Sequence, residues 1–164
     1  MALKIQFNFI VVVLKMNNPL SLPIFKRISR LVDSRGVQAF VIGGFVRDYY
    51  LRRKCSDIDV VVVGSGIEIA EALAAELKTK VVVFKRYGTA MLNYDGLEIE
   101  FVGARKESYT HDSRKPTVEP GTLEDDQRRR DFTINAMAWS LNGKTFGELV
   151  DPFDGMCDLE DCRI

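Results

Sequence analysis

The stretch that decides the fold is residues 57–63, which read Asp-Ile-Asp-Val-Val-Val-Val. The β-branched, almost wholly apolar run after the acidic start predicts a strand buried inside a sheet. Because side chains two apart on a strand share a face, Asp57 and Asp59 lie on one side, with Cα atoms roughly 6–7 Å apart. Two such carboxylates repel each other unless a cation or hydrogen bonds neutralise them. Oxygen ligands at this spacing suit Mg²⁺, and two solvated acids at a strand end are the equally weighted alternative.

A glycine-rich turn lies upstream of this strand, and its residues read Gly43-Gly44-Phe45-Val46-Arg47-Asp48. A short buried strand is predicted over residues 39–42 and a helix over 45–53, so the glycines join the two. Glycine lets backbone N–H groups approach a ligand closely, and Arg47 in the first helical turn is placed to bind a phosphate. Two glycines alone are weak evidence. An ordinary strand-to-helix turn with a surface arginine is the favoured alternative for this motif by itself.

The surrounding elements predict one α+β domain in which a mixed sheet is flanked by helices. Apolar residues at helical spacing indicate helices over residues 23–35 and 67–77. Further strands are expected over residues 81–84, 90–94 and 97–102, because these runs are short, apolar and bounded by turn residues.

The last of these strands offers a third carboxylate, and it follows a hairpin signal at Asp95-Gly96. Glu98 and Glu100 alternate with apolar residues, so both lie on the polar face of residues 97–102. If this strand neighbours the strand of the two aspartates, Glu100 joins them. An exposed polar face of an antiparallel sheet is the favoured alternative.

The downstream part holds a long segment without apolar periodicity and then a cluster of arginines. Residues 106–123 are expected to be a substrate loop, because structureless loops beyond ~12–15 residues are otherwise uncommon. Residues 128–135 read Arg-Arg-Arg-Asp-Phe-Thr-Ile-Asn. Asp131 is expected to cap a helix over 132–141, with Asn135 one turn further on. Three arginines before a helix oppose its macrodipole unless an anion lies nearby, and a solvated basic turn is the equal alternative.

Composition excludes several classes of protein. The chain has 164 residues, 46% of them hydrophobic, with 23 basic and 23 acidic side chains, which indicates a packed domain without the basic excess of a nucleic-acid coat. Three cysteines without zinc-finger spacing favour reduced thiols in the cytoplasm. No apolar run approaches the ~20 residues of a membrane helix. Residues 1–18 lack a signal-peptide cleavage site and are expected to be a poorly ordered lead outside the core.

In combination, these motifs supply what nucleotidyl transfer requires. The transferring phosphoryl group carries charge that must be neutralised, and cations held by carboxylates activate the attacking and leaving oxygens. A phosphate-binding turn, a pair of aspartates and a cluster of arginines meet these needs. The prediction depends on their meeting in a single pocket.

The same motifs resemble the head domain of class II CCA-adding tRNA nucleotidyltransferases, a head that bacterial poly(A) polymerases share. The resemblance covers residues 23–164 and rests on the glycine turn, the strand over 57–63, and the stretches at 123–136 and 151–155. It implies a polymerase β-like nucleotidyltransferase fold that uses Mg²⁺ with CTP or ATP to extend an RNA 3′ end.

The resemblance also implies roles for individual residues. It places metal binding on Asp57 and Asp59 and puts Glu100 where related enzymes carry a third catalytic acid. The residues expected to contact the incoming nucleotide, through the resemblance or through the glycine turn itself, are Gly43, Gly44, Arg47, Arg130, Asp131 and Asn135.

The resemblance extends only to the head. In the family, a helical neck that reads the base follows the head, and a body and tail then grip tRNA, whereas this chain stops at Ile164. The chain is therefore expected to be a piece of a longer enzyme, with residues 19–164 forming the head and the tRNA 3′ end held mainly by absent domains. The alternatives are a poly(A) polymerase, an enzyme that adds only part of CCA, and a nucleotide- or RNA-binding module without activity of its own.

Overall fold

A seven-stranded mixed sheet forms the centre of the protein. The computed structural model describes residues 19–108 and 117–163. In chain order the strands are β1 Gln38–Ile42, β2 Asp57–Val63, β3 Val81–Phe84, β4 Thr89–Tyr94, β5 Leu97–Gly103, β6 Arg105–Ser108, β7 Thr117–Pro120, β8 Ala138–Ser140 and β9 Leu149–Val150. The helices are α1 Pro23–Ser34, α2 Gly44–Tyr50, α3 Gly66–Leu77, α4 Leu123–Arg128 and α5 Gly155–Glu160, and 3₁₀ turns lie at Pro19–Ser21, Thr133–Asn135 and Gly143–Thr145. None of the helices within these ranges is both long and apolar enough to cross a membrane.

The order of strands in the large sheet is β3-β4-β5-β2-β1-β8-β9. β2 and β5 run parallel, whereas the other neighbouring pairs in the described part of this sheet are antiparallel. The central strand is β2, whose sequence predicted a buried position. The prediction of an α+β domain with a mixed sheet and flanking helices is confirmed.

The two faces of this sheet differ. One face is covered by α1 and α3 and holds the main core, to which β2 contributes Ile58, Val60 and Val62. The opposite face holds a smaller apolar cluster that includes Val61. Because alternate residues of a strand point to opposite faces, the two aspartates of β2 lie on the side of the smaller cluster. That side leaves room for a cleft beside them.

Local sequence explains where the helices next to the sheet begin. α1 begins at Pro23, whose missing N–H would be unpaired at the first helical position anyway. Ser65 caps α3, since its hydroxyl accepts a 3.2 Å hydrogen bond from the backbone N–H of Glu68. A Cβ atom at Gly66 would lie 2.7 Å from the carbonyl carbon of Val102, so only glycine lets α3 start this close to β5.

The helix predicted over residues 132–141 is wrong. Thr133–Asn135 form a single 3₁₀ turn, and Ala138–Ser140 form β8, which pairs with β1 and β9. Asp131 caps no helix, because Phe132 occupies the position before the turn and provides no side-chain cap. The apolar run fits a helix by its spacing, but pairing with β1 buries it equally well and satisfies its backbone.

The segment 106–123 is more ordered than predicted. β6 and β7 pair near its two ends, while residues 109–116 lie outside the described residues, as does the expected lead 1–18. The helix α4 was not predicted from the sequence, although a capping box marks its start. The Thr122 hydroxyl accepts a 3.2 Å hydrogen bond from the Asp125 N–H, and the Asp125 carboxylate accepts a 2.9 Å hydrogen bond from the Thr122 N–H.

Candidate active site

Acidic side chains from two neighbouring strands face one cleft. The parallel register of β2 and β5 places Asp57 opposite Glu98 and Asp59 opposite Glu100, so the condition on which Glu100 depended is met. The cleft has a volume of about 410 Å³, and its lining residues are Gly44, Arg47, Asp48, Cys55, Asp57, Ile58, Asp59, Glu98 and Glu100. Since most of the charged side chains in this lining are carboxylates, the cleft attracts cations.

The pKa of Asp59 lies above its usual range. Burial is the main cause, because it penalises the charged form of the carboxyl group. The Arg130 guanidinium opposes this effect by stabilising the charge, while the carboxylates of Glu100 and Asp57 raise the pKa further. A cation that binds between two partly desolvated carboxylates reduces the repulsion between their charges.

These acids suit a metal ion that keeps most of its own waters. Within residues 19–108 and 117–163, no three acidic, histidine or cysteine side chains are grouped as a ready-made metal site. Asp57 and Asp59 therefore offer a partial set of donors. Mg²⁺ fits such a set, since it binds through one or two carboxylates and completes its octahedron with water and substrate phosphates.

The turn after β1 brings the arginine segment against the acids. Gly43 has a φ of +81°, a backbone conformation that favours glycine. A Cβ atom at Gly43 would lie 3.2 Å from Arg130 Nη1 and 3.4 Å from Asp59 Oδ2. A side chain at this turn would therefore crowd a guanidinium and a carboxylate that come from distant parts of the sequence.

Arg47 is held in place by two side chains. Its Nη1 donates a 2.7 Å hydrogen bond to Asn135 Oδ1, and its Nε donates a 2.9 Å hydrogen bond to Asp48 Oδ1. The contact with Asn135 joins the glycine turn to the arginine segment across 88 positions of sequence. Because Arg47 lines the cleft, its guanidinium is oriented beside the acids before any ligand arrives.

Arg130 depends on a buried acid that the sequence analysis did not single out. Asp126 is fully buried, and its Oδ2 accepts a 3.2 Å hydrogen bond from Arg130 Nη2. Its Oδ1 accepts two hydrogen bonds from Arg129, at 3.0 Å from Nε and 2.7 Å from Nη2. Arg130 Nη1 also donates a 3.4 Å hydrogen bond to the backbone carbonyl of Asn135. One carboxylate aligns both arginines, and its position four residues before Arg130 is the helical spacing that could have identified it.

The irregular segment after the arginines is held by side chains. Gln127 Nε2 donates hydrogen bonds to the backbone carbonyls of Ala136, at 2.7 Å, and Val150, at 3.1 Å. Thr133 Oγ1 donates a 2.6 Å hydrogen bond to Asp158 Oδ2 on α5. These contacts hold the 3₁₀ turn Thr133–Asn135 in place.

The structure gathers most of the predicted site residues around the cleft and its glycine turn. Those brought together are Gly43, Gly44, Arg47, Asp57, Asp59, Glu100, Arg130 and Asn135. Gly43, Arg130 and Asn135 adjoin residues that line the cleft without lining it themselves. Asp131 is not among the residues brought together, because its side chain is exposed. Cys55 also lines the cleft, a position that was not predicted from the sequence. The pKa of its thiol is raised, mainly by burial.

Known proteins are similar to this chain in sequence. Residues 39–164 match the poly A polymerase head domain family. The A-adding tRNA nucleotidyltransferase of Aquifex aeolicus is 45% identical over 125 residues, which cover 76% of this chain and 15% of that protein.

Solved structures show the same likeness in fold. The structure of a CCA-adding enzyme in apo form II has a TM-score of 0.81 and 39% identity, covering 92% of this chain and 36% of that one. A tRNA nucleotidyltransferase complexed with a primer tRNA and an incoming ATP analog has a TM-score of 0.73 and 40% identity, covering 82% of this chain and 36% of that one. The chain thus spans between 15% and 36% of the length of these proteins. It belongs to the poly(A) polymerase head domain family, and it is similar in sequence and fold to CCA-adding enzymes.

Proposed function

We propose that this protein performs the chemical step of nucleotide addition to a tRNA 3′ end, with CTP or ATP as the donor and Mg²⁺ as the metal. The observation that carries the proposal is the approach of Arg130 Nη1 and Asp59 Oδ2 to the same point at Gly43, where a Cβ atom would lie 3.2 Å from the first and 3.4 Å from the second. This arrangement supports one pocket in which positive charge for phosphates adjoins carboxylates for a metal.

The reaction joins the RNA to the α-phosphate of the incoming nucleotide. The oxygen of the RNA 3′-hydroxyl forms a bond to the α-phosphorus, and the bond from that phosphorus to the oxygen bridging the β-phosphate breaks. Pyrophosphate leaves, and the hydroxyl proton passes to solvent. Asp57 and Asp59 would hold Mg²⁺, which when bound supplies positive charge to the triphosphate and to the developing alkoxide.

The other side chains position the reactants. Arg47 and Arg130 hold the phosphates, since their guanidinium groups are oriented by protein carboxylates beforehand. The turn at Gly43 and Gly44 lets a phosphate approach the backbone. Glu100, opposite Asp59 in the register, is the third catalytic acid of the proposal.

Two nucleotide contacts are proposed on less direct grounds. Asn135 acts through Arg47, because its Oδ1 accepts a hydrogen bond from Arg47 Nη1. Asp131 is proposed only from the family motif, because its exposed side chain does not line the cleft.

The choice of base defines the remaining candidates. The Aquifex aeolicus relative is named an A-adding enzyme, and this favours addition of A alone as the second candidate function. Poly(A) synthesis and a binding role without catalysis remain alternatives. The family assignment and the free thiols of Cys55, Cys157 and Cys162 support a cytoplasmic location in this proposal.

The test measures binding and turnover separately. Titration of the chain with CTP or ATP should show binding that Mg²⁺ strengthens, and Asp59→Asn should remove the Mg²⁺-dependent part. Asp95→Asn, in the turn between β4 and β5, is the matched control.

Extension of a tRNA lacking its 3′ CCA, followed by sequencing of the product, then separates CCA, A-only and poly(A) addition. Binding without extension supports the binding module, and absence of any triphosphate binding contradicts the proposal.

A further inference from the structure

A row of paired residues crosses the sheet from Asp59 to an edge. In the strand register, Asp59 is opposite Glu100, Glu100 is opposite Met91, and Met91 is opposite Val82. Residues paired across strands point to the same face, so the row runs from the acids to β3 at the end of the strand order. Three strand spacings separate β2 from β3, a distance of roughly 14 Å.

The outer end of this row is apolar and open to solvent. Val82 is 50% exposed, Phe84 on the same face of β3 is 42% exposed, and Tyr87 in the following turn is 65% exposed. These are three of the six large hydrophobic side chains that are exposed among the described residues. Half of them cluster in one hairpin, and such a cluster of exposed apolar side chains is typical of a surface that binds a ligand.

The same hairpin carries uncompensated positive charge. Lys85 and Arg86 are exposed in the turn between β3 and β4, and neither forms an ion pair with a residue in the described part of the chain. The Arg86 guanidinium carbon lies 5.9 Å from the centre of the Tyr87 ring. Exposed rings with cations beside them bind single-stranded nucleic acid, since bases stack on the rings and phosphates pair with the cations.

We propose that this surface, the β3 edge (Val82, Phe84, Lys85, Arg86 and Tyr87), binds the last nucleotides of the RNA strand whose 3′ end is extended. The inference rests on the proposed function, which puts the 3′-hydroxyl beside the aspartates of β2. About four stacked nucleotides at ~3.4 Å each span the distance from there to β3. RNA is favoured over a protein segment because an apolar segment would cover the rings and leave the two cations unpaired.

The test compares two pairs of charge-removing substitutions in the full 164-residue chain. Lys85→Gln with Arg86→Gln removes both charges of the β3 edge. Arg30→Gln with Lys144→Gln removes two exposed charges at α1 and the neighbouring 3₁₀ turn, and is the matched control. Binding of a fluorescein-labelled single-stranded RNA of about twelve nucleotides is measured by anisotropy, at salt concentrations from about 50 to 200 mM.

We expect the β3 edge pair to weaken RNA binding about tenfold and to lower the slope of log K against log salt by about 1.4, which corresponds to two phosphate contacts. Tyr87→Ala should weaken binding about fivefold or more, because a base loses its stacking partner. Binding of ATP with Mg²⁺, measured on the same samples, should not change, since these residues do not line the cleft.

Equal effects of the two pairs on RNA affinity and salt slope would overturn the inference, and the edge would then be a surface for protein. Absence of RNA binding by the unsubstituted chain at the lowest salt would overturn it as well. Absence of ATP binding by the unsubstituted chain would instead contradict the proposed function, so the two failures are distinguishable.

Discussion

The acid strands and the arginine segment both approach the turn at Gly43 but are held in different ways. Asp57, Asp59 and Glu100 lie on regular strands, and the sheet register alone brings them to one side. Arg130 lies where α4 gives way to an irregular turn, and hydrogen bonds to Asp126 and to the Asn135 carbonyl position it. Backbone geometry sets the first region, and side-chain charge sets the second.

The difference indicates where each region is vulnerable. In the strands, the sheet holds carboxylates together against their mutual repulsion, so their placement costs electrostatic energy. In the arginine segment, attraction between opposite charges holds the side chains in place. A buried carboxylate without its arginine partners, or the arginines without the carboxylate, would destabilise the fold. We expect changes in the acids to affect function first and changes in the buried counter-charge to affect stability first.

The largest effect is expected from Asp57→Ala. Loss of a metal ligand should lower nucleotide addition by about 1,000-fold or more, since metal binding supplies several kcal/mol of charge stabilisation. The thermal unfolding midpoint should stay close to that of the unsubstituted protein. Extension of tRNA with labelled CTP or ATP measures the loss, and Asp95→Asn is the control. Substantial remaining turnover would exclude the metal role.

Asp126→Ala breaks the second region. It leaves Arg129 and Arg130 without their shared buried partner and should destabilise the fold by about 3–5 kcal/mol in urea unfolding. Asp125→Ala, one residue away, removes only an exposed capping contact and should cost less. Its pKa is lowered by the hydrogen bond from the Thr122 backbone, so its contribution is lost as pH falls through that lowered value. Equal losses in the two variants would show that burial of Asp126 is not the reason.

Comparison of the two arginines sharpens the assignment of the phosphate contact. Arg130→Gln should weaken binding of ATP with Mg²⁺ by about 10- to 100-fold, because a charged hydrogen bond to phosphate is lost. Arg129→Gln should change it much less, since its guanidinium faces Asp126 and lies 4.0 Å from Glu107. Titration calorimetry measures both, and a larger effect at Arg129 would reverse the assignment.

Gly43→Ala tests the point where the two regions meet. The positive φ and the nearby Arg130 and Asp59 atoms predict a loss of about 1–2 kcal/mol in stability and weaker triphosphate binding. Gly44→Ala is the matched control, since Arg47 Nη2, at 3.7 Å, is the nearest atom that a Cβ atom there would meet in the described part of the chain. Thermal unfolding of both variants checks the expectation, which fails if Gly44→Ala loses as much.

The smallest effect on stability is expected from Asp59→Asn, a change that also removes a proposed metal ligand. Because the pKa of Asp59 is raised in the folded protein, stability declines as pH rises from the ordinary value of 3.8 through the raised one, and this cost is fully present above it. The asparagine variant should therefore be modestly more stable at neutral pH, with the difference vanishing below the ordinary value. Urea unfolding across this range measures it. Mg²⁺ should stabilise the unsubstituted protein and not the variant.

The regular part of the molecule could be predicted from the sequence because its signals are local. The β-branched run of β2, the glycines before α2 and the hairpin before β5 each specify a backbone geometry over a few residues. Alternation then gives the face on which Asp57, Asp59 and Glu100 lie. That β2 and β5 are neighbours could not be predicted, since their pairing depends on residues far apart in the sequence.

The arginine segment could not be predicted in the same way. Residues 132–141 have apolar spacing compatible with a helix, and the pairing of residues 138–140 with β1 and β9 makes them a strand instead. The role of Asp126 follows from its burial. Burial is set by the tertiary structure, and nothing in an acidic run of sequence distinguishes the one residue that becomes buried. The start of α4 could have been predicted from the sequence, because Thr122 and Asp125 have the spacing of a capping box.

The hydrogen bond between Thr133 and Asp158 has a mechanical consequence. Thr133 begins the short turn that ends at Asn135, and the Asn135 side chain accepts from Arg47. The two side-chain contacts tie α5 to the guanidinium that lines the cleft. Loss of the Thr133 hydroxyl is therefore expected to loosen the orientation of Arg47 from a distance, without any change in the cleft itself.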